Sequence, residues 1–175
     1  MPNASFQGPL PGDIEILPYS AEHRGGVIAC FRSNVPKYFS SNELPDFLKH
    51  VEADKGPYLV MLDRGEVLAC GGFALRGDTA DLCWGMVRAD YQGKGFGDAL
   101  MLYRLLAIIQ SPARAVRLET SQHTENFFRR YGFSVAEREK DGFEPGLDRV
   151  EMRAELDSVF KQLIDERMSG FQNLN

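Results

Sequence analysis

One stretch constrains this chain more than any other: an apolar run, Leu82 to Val87, then Arg88-Ala89-Asp90-Tyr91-Gln92-Gly93-Lys94-Gly95-Phe96-Gly97, then a second apolar run from Ala99 to Ile109. It reads as strand, glycine-rich turn, helix. Glycines at the alternate positions 93, 95 and 97 leave the backbone open to close approach by a ligand. The turn gathers several N–H groups with the positive end of a helix dipole, an arrangement that binds phosphate or pyrophosphate. A nucleotide-like ligand is therefore expected here.

Such a loop has several readings. A P-loop ends Gly-Lys-Ser/Thr so that the hydroxyl holds magnesium, but Lys94 is followed by Gly95. A dinucleotide fold needs Gly-x-Gly-x-x-Gly and an acid about 20 residues on. Gly93 and Gly95 match it, and Glu119 would be the ribose ligand, yet the third glycine position is Asp98, whose carboxylate would face the pyrophosphate. The loop also lies mid-chain and not after the first strand. A plain turn without a ligand remains as well, since glycine clusters punctuate ordinary loops.

The 175 residues are 43% apolar and 26% charged, which suits one domain with a single core. A net charge of −5 leaves no basic excess for a nucleic-acid footprint, so no nucleic-acid partner is expected. Arg104 breaks the longest apolar stretch far short of a membrane span, so no membrane partner is expected either. Met1 to Gly12 is rich in proline and glycine and has neither a basic start nor an apolar core; it reads as a flexible arm, not a signal peptide. Without such a signal, the glycosylation sequon Asn3-Ala4-Ser5 carries no weight. Cys30, Cys70 and Cys83 show no Cys-x-x-Cys spacing and read as buried, reduced thiols of a cytoplasmic protein. No metal site is expected.

Alternation over Asp13 to Pro18 predicts a first strand, and Ala21 to Phe31 a helix with Val27, Ile28 and Phe31 on one face. Residues 32–42, carrying Tyr38 and Phe39, lead to a second helix, which Ser40-x-x-Glu43 opens as a capping box and which ends near Ala53. Tyr58–Leu62 and Val67–Leu75 read as a hairpin across Asp63-Arg64-Gly65-Glu66, and Thr79–Val87 as the fourth strand. Strands 79–87 and 115–120 flank the helix at 97–110, so they are expected to be parallel with a right-handed crossover. That helix has only Asp98, Arg104 and Gln110 as polar residues and must be covered on more than one side. A last hairpin, 133–139 with 148–156, spans Asp141 to Gly146, and a helix follows from about Leu156 to Met168. The class is α+β, with mixed strands, and a ligand is expected beyond the carboxyl ends of the parallel pair, where the glycine loop lies.

Val87 to Gly97 resembles the acetyl-CoA signature of the GNAT N-acetyltransferase superfamily, Gln/Arg-x-x-Gly-x-Gly/Ala, matched by Gln92, Gly95 and Gly97. Phe127-Phe128-Arg129-Arg130-Tyr131-Gly132-Phe133 is similar to the family's second signature, a helix ending in a glycine-phenylalanine turn, and Val150 to Leu156 resembles its closing strand. The resemblance covers about residues 13–156, between the arm at 1–12 and a C-terminal helix and polar tail at 157–175. It implies a GNAT-like fold: a central, mostly antiparallel twisted sheet of about seven strands, with one parallel β-α-β unit at strands 4 and 5, flanked by helices. It also implies acetyl-CoA as cosubstrate, no metal, and N-acetyl transfer to a primary amine of a small molecule or peptide by direct attack on the thioester. A homodimer is one candidate assembly.

The cofactor residues that the resemblance implies are Met86, Val87, Gln92, Gly93, Lys94, Gly95, Phe96, Gly97, Asp98, Ser121 and Phe128. Main-chain amides of the loop would wrap the pyrophosphate, and the Val87 amide would hold the carbonyl oxygen as it gains charge. The chain departs from the family at two places: Phe128 stands where many members have a general-acid tyrosine, and Ser121 where many have an asparagine. A thiol of pKa about 8.5 leaves tolerably as thiolate, so the missing acid costs rate within the roughly 10²- to 10⁴-fold that acid–base groups contribute. Phe128 also keeps open an alternative function, a non-catalytic acyl-CoA-binding regulatory module. Tyr131 is a candidate acid, with aromatic packing as its other reading. Glu119 is a candidate base, with His123, Asp81 or a relayed water as alternatives and a plain surface or turn role for each. Lys94, Arg129 and Arg130 are candidates for the coenzyme A phosphates. The acidic second helix, with Glu43, Asp46, Glu52 and Asp54, would draw a cationic amine unless it is simply an exposed face. Tyr38, Phe39 and the 140–147 loop are where the acceptor pocket is expected.

Overall fold

The computed structural model describes residues 14–172, so the N-terminal arm, the sequon and Asp13 lie outside the described residues. The strands are β1 (Ile14–Pro18), β2 (Tyr58–Asp63), β3 (Glu66–Arg76), β4 (Thr79–Val87), β5 (Ala115–Thr120), β6 (Ser134–Glu144) and β7 (Leu147–Glu155). They form one sheet in the order β1-β2-β3-β4-β5-β7-β6. Every neighbouring pair is antiparallel except β4 with β5, the parallel pair expected from the sequence.

Helices α1 (Arg24–Ser33) and α2 (Leu44–Glu52) cover one face, and α3 (Phe96–Ile109) and α5 (Ser158–Gln172) the other; α4 (Glu125–Arg129) is a short turn of helix after β5. The alternation of β2 follows from being sandwiched. Tyr58, Val60 and Leu62 pack with Val27, Phe31 and Phe47 beneath α1 and α2, while Met61 points to the cluster of Phe96, Ala99 and Leu100 at the start of α3. Cys30 takes the buried place on α1 expected of Ile28, which is only half-buried. α3 is apolar nearly all round because the sheet covers one side and Phe160 and Ile164 of α5 join the cluster on another. Edge strand β6 is mostly exposed and charged, which blocks pairing with a further chain.

The last hairpin departs from expectation. The segment read as an acceptor loop at 140–147 is the continuation of both strands, with a register shift between Glu139 and Glu144. Side chains do the stitching: Asp141 N–H donates to Asp148 Oδ1 at 3.0 Å, and Gly146 N–H donates to Asp141 Oδ1 at 2.7 Å. Asp-Gly and Pro-Gly punctuate a loop in sequence, but these two aspartates make it a strand end.

Candidate active site

β4 and β5 pair only from Thr79 with Ala115 to Leu82 with Leu118. Beyond that point Glu119 and Thr120 pair with β7, and Cys83 to Val87 run on without β5. The parallel pair thus opens into a cleft at its carboxyl end. A bulge in β4 contributes: Gly71 of β3 stands against both Trp84 and Gly85, and Trp84 takes φ +48°, a costly value for a bulky residue. Tyr58 Oη donates to the Trp84 carbonyl at 2.9 Å, and Phe47 and Phe39 hold its indole at 5.4 and 6.0 Å between ring centres.

At the mouth of this cleft the Arg88 N–H donates to Leu68 O at 2.8 Å. Peptide groups alternate along a strand, so the Val87 N–H and C=O turn away from β3. The Val87 carbonyl accepts from Asn34 Nδ2 at 2.9 Å and Gln92 Nε2 at 3.1 Å, and its N–H faces the side that β5 has left. Met86 lies one step earlier, opposite Cys70, so its amide turns back to β3, and its side chain is in the core.

The glycine loop follows directly. Gly93 and Gly95 take φ +74° and +87°, and nothing lies within 4 Å of where a Cβ would sit on either. Gly95 caps α3 without a side-chain bond, so the amides of Phe96, Gly97 and Asp98 open the helix without an intrahelical acceptor. Free amides, open space and a helix N-terminus together fit an anionic phosphate group. At Gly97 a Cβ would meet Val87 and Phe127 at 3.6 and 3.8 Å, ordinary contact distances, so the start of α3 lies beside both the end of β4 and α4.

The family-model comparison falls on these elements. The acetyltransferase (GNAT) domain matches residues 54–135, which hold the cleft, the loop, α3 and α4. Over residues 54–135 the chain carries a GNAT domain. No curated protein sequence matches the chain. Its fold is that of solved GNAT acetyltransferases. The ribosomal-protein-S18-alanine N-acetyltransferase of Escherichia coli superposes with a TM-score of 0.69 at 15% identity, covering 82% of this chain and 94% of that one. A GNAT family acetyltransferase from Elizabethkingia anophelis, solved with acetyl-CoA bound, gives 0.63 at 16%, covering 81% and 97%. An aminoglycoside 6'-N-acetyltransferase complexed with coenzyme A gives 0.67 at 10%, covering 82% and 97%.

Within this GNAT domain the remaining expected residues fall into place unevenly. The Gln92 side chain turns inward, to Asn34 Oδ1 at 2.7 Å as well as to Val87, and braces the loop. Lys94 is exposed, with its ammonium 5.1 Å over the Tyr91 ring. Asp98, which would repel a phosphate, is engaged: it accepts from the Tyr131 hydroxyl and lies 3.7 Å from Arg130. Tyr131 is 1% exposed, and burial, reinforced by Asp98, pushes its phenol well above the usual range. Its one proton is committed to Asp98. Arg129 pairs with Glu125 at 2.9 Å. Phe128 packs edge-on to Phe127 and Phe133, and Ser121, 3% exposed, accepts from the His123 N–H at 3.4 Å.

The candidate bases also differ. Glu119 accepts from Arg117 at 2.8 Å and Arg149 at 3.4 Å. Asp81, expected in solvent beside a turn, is instead half-buried between Arg76 at 2.8 Å and Arg117 at 3.5 Å. His123 is exposed and meets Tyr38 edge-on at 6.3 Å. Glu43, expected as a helix cap and as part of an acidic face, was not among the candidate bases. Ser40, 1% exposed, forms the capping box by donating its N–H to Glu43 at 2.7 Å, and its hydroxyl donates to Glu144 at 2.6 Å, tying the start of α2 to the end of β6. Burial raises the Glu43 pKa above its ordinary value against the Ser40 bond, with Glu144, Asp46 and Glu119 adding to the rise. Asn34, 4% exposed and between α1, β4 and the loop, is a residue that sequence reasoning missed; an asparagine after a helix carries no distinctive signal.

Proposed function

We propose that this GNAT domain, taken as residues 13–156, transfers an acetyl group from acetyl-CoA to a primary amine. The observation that carries the reading is the Val87 N–H, turned out of the ladder at the cleft mouth and followed directly by the open glycine turn. Acetyl-CoA supplies an activated thioester carbonyl. Transfer forms a C–N bond at the acyl carbon and breaks the C–S bond; the electron pair leaves with sulfur as thiolate, and the amine gives up one proton. Val87 N–H is the donor for the carbonyl oxygen as charge grows on it. Loop and α3 amides hold the pyrophosphate, with Lys94 at the solvent edge. Glu43 is the carboxylate best suited to accept the proton, directly or through water, because its raised pKa lies nearer neutrality than that of an exposed acid. Glu119 is tied to two arginines and the Tyr131 proton to Asp98, which leaves both poorer candidates.

The carboxylates of Glu43, Glu144 and Glu119 converge near the Ser40 bridge and favour a cationic acceptor, on a small molecule or a peptide. Among the described residues no cluster could hold a metal ion and no helix is long and apolar enough to cross a membrane. A cytoplasmic setting is part of the proposal, in keeping with the free thiols of Cys30, Cys70 and Cys83.

The test is a thermal-shift titration with acetyl-CoA, coenzyme A and NAD in parallel, followed by thiol release across amines, polyamines and peptides. A ligand at about 100 times its Kd adds about 2.7 kcal/mol. Stabilisation by acetyl-CoA with steady thiol release supports the enzyme. Stabilisation without release from any acceptor favours the regulatory acyl-CoA-binding module that Phe128 keeps open. A response to NAD alone, or to nothing, overturns the reading.

A further inference from the structure

Arg104, which looks in sequence like a polar break in an apolar helix, is 4% exposed. Its guanidinium lies against two glycines on adjacent strands. A Cβ on Gly85 would come within 2.7 Å of Nη2, and one on Gly71 within 3.0 Å of Nη1. Gly85 belongs to the stretch of β4 that β5 has left, two residues before Val87, and its backbone is exposed. A full positive charge therefore sits directly behind the cleft wall.

Each guanidinium nitrogen has one neutral partner, but the charge has no ionic one among the described residues. A guanidinium has five N–H donors, and Arg104 makes three contacts: Leu100 O at 3.4 Å, Gly72 O at 3.4 Å and Met101 Sδ at 3.9 Å. Among the described residues no carboxylate lies within ion-pair distance of it. The titratable groups around it are Cys83, Cys70 and Tyr58, and burial raises the Cys83 thiol to about 11 and the Tyr58 phenol well above its usual value, so both stay neutral. Burying an unpaired charge is costly, and a well-packed apolar residue of similar size is commonly neutral or stabilising in its place. Two strand glycines, themselves weak strand formers, make the room for it. Stability does not account for this arrangement.

We infer that Arg104 is a positioning charge for acyl transfer, acting across the Gly85 backbone to favour the negative charge that develops on the thioester oxygen and then on the departing sulfur. The inference rests on the acetyl-CoA reading above. It complements Phe128: where no side chain delivers a proton to the thiolate, a fixed cation behind the wall lowers the cost of releasing it as an anion. Held at a buried position, such a charge is already oriented, so it loses little to reorganisation as the reaction proceeds.

The test compares the full chain with Arg104→Met, Arg104→Gln and Arg104→Lys. Removing a direct oxyanion donor costs about 10²- to 10³-fold in kcat; one backbone layer further away, Arg104→Met and Arg104→Gln are expected to lose about 10- to 100-fold. The acetyl-CoA KM is expected to stay within about threefold, since the interaction grows only as charge develops. Arg104→Met is expected to melt no lower than the wild type, and Arg104→Lys to recover most of kcat. The infrared carbonyl stretch of bound acetyl-CoA, labelled with ¹³C at C1, is expected at lower frequency in the wild type than in Arg104→Met. Unchanged kcat and carbonyl frequency in the neutral variants overturns the inference. So does loss of folding in both, or a kcat loss that Arg104→Lys shares in full, since either makes Arg104 a packing residue. A wild type that neither binds acetyl-CoA nor releases thiol overturns the acetyl-CoA reading, and this inference falls with it.

Discussion

Asn34 donates to the Val87 carbonyl at 2.9 Å across 53 residues of chain. The same amide donates to Cys30 O at 2.9 Å, and its Oδ1 accepts from Gln92 at 2.7 Å. One buried side chain thereby sets the end of α1, the last peptide of β4 and the start of the glycine loop in a fixed relation, and this relation points the Val87 N–H into the cleft.

Asn34→Ala is expected to lower the unfolding free energy by about 1–3 kcal/mol, because it removes the hydrogen bonds of a buried side chain, leaving the Val87 carbonyl to Gln92 and the Cys30 carbonyl to Ser33. It should also reduce the thermal shift given by acetyl-CoA, since the loop loses its brace. Denaturant unfolding with and without acetyl-CoA checks both. Wild-type acetyl-CoA affinity in a destabilised variant would separate the brace from the site.

Gly95→Ala places a Cβ in the open space above the loop at φ +87°. The left-handed backbone costs a non-glycine residue about 1–2 kcal/mol, and the methyl group would occupy the room proposed for the cofactor. Calorimetric titration should show weakened acetyl-CoA binding well beyond the loss of stability. Unaltered binding would mean that the phosphates lie elsewhere.

Glu43 holds its proton more tightly in the folded chain than in the unfolded one, whose carboxyl titrates near 4.5. The stability this adds is complete below that pH and is lost as pH rises through the folded pKa. Glu43→Gln keeps an acceptor for Ser40 but stays neutral. It should match the wild type in stability near pH 4 and exceed it at pH 7 or so. If Glu43 accepts the substrate proton, the same variant loses activity throughout, so stability and rate move in opposite directions.

Glu125 shows the reverse sign. Arg129 and Arg138, at 2.9 and 2.5 Å, pull its pKa below 4.5. Its contribution is present above that value and is lost as pH falls through the folded pKa. Glu125→Gln should flatten the acid limb of the stability curve and loosen α4 against β6, seen as faster amide exchange at Phe127 to Tyr131. An unchanged acid limb would show that the pairing is too solvated to matter.

Much of the scaffold was legible from local pattern. β4 and β5 fall at the residues expected, because apolar runs bounded by turn residues decide strand ends locally. The capping box at Ser40 and Glu43 formed as the four-residue spacing implies. The segment after Glu139 was read as a loop because its Asp-Gly and Pro-Gly pairs are ordinary turn signals, whereas bonds between Asp141, Gly146 and Asp148 carry the strands through it. Arg104 read only as a polar break in α3 because nothing near it in the chain announces the two glycines, on two other strands, that accommodate it.

The chain's own order settled its helices, its strands and its glycine turn, since these follow from φ preferences and apolar spacing over a few residues. The folded sheet decided which polar groups meet: Asn34 with Val87, Ser40 with Glu144 across 104 residues, and Arg104 behind Gly85. Such pairings have no short-range signature. They depend on strand order and on a register that a one-residue slip would undo, and so they exist only once the seven strands are in place.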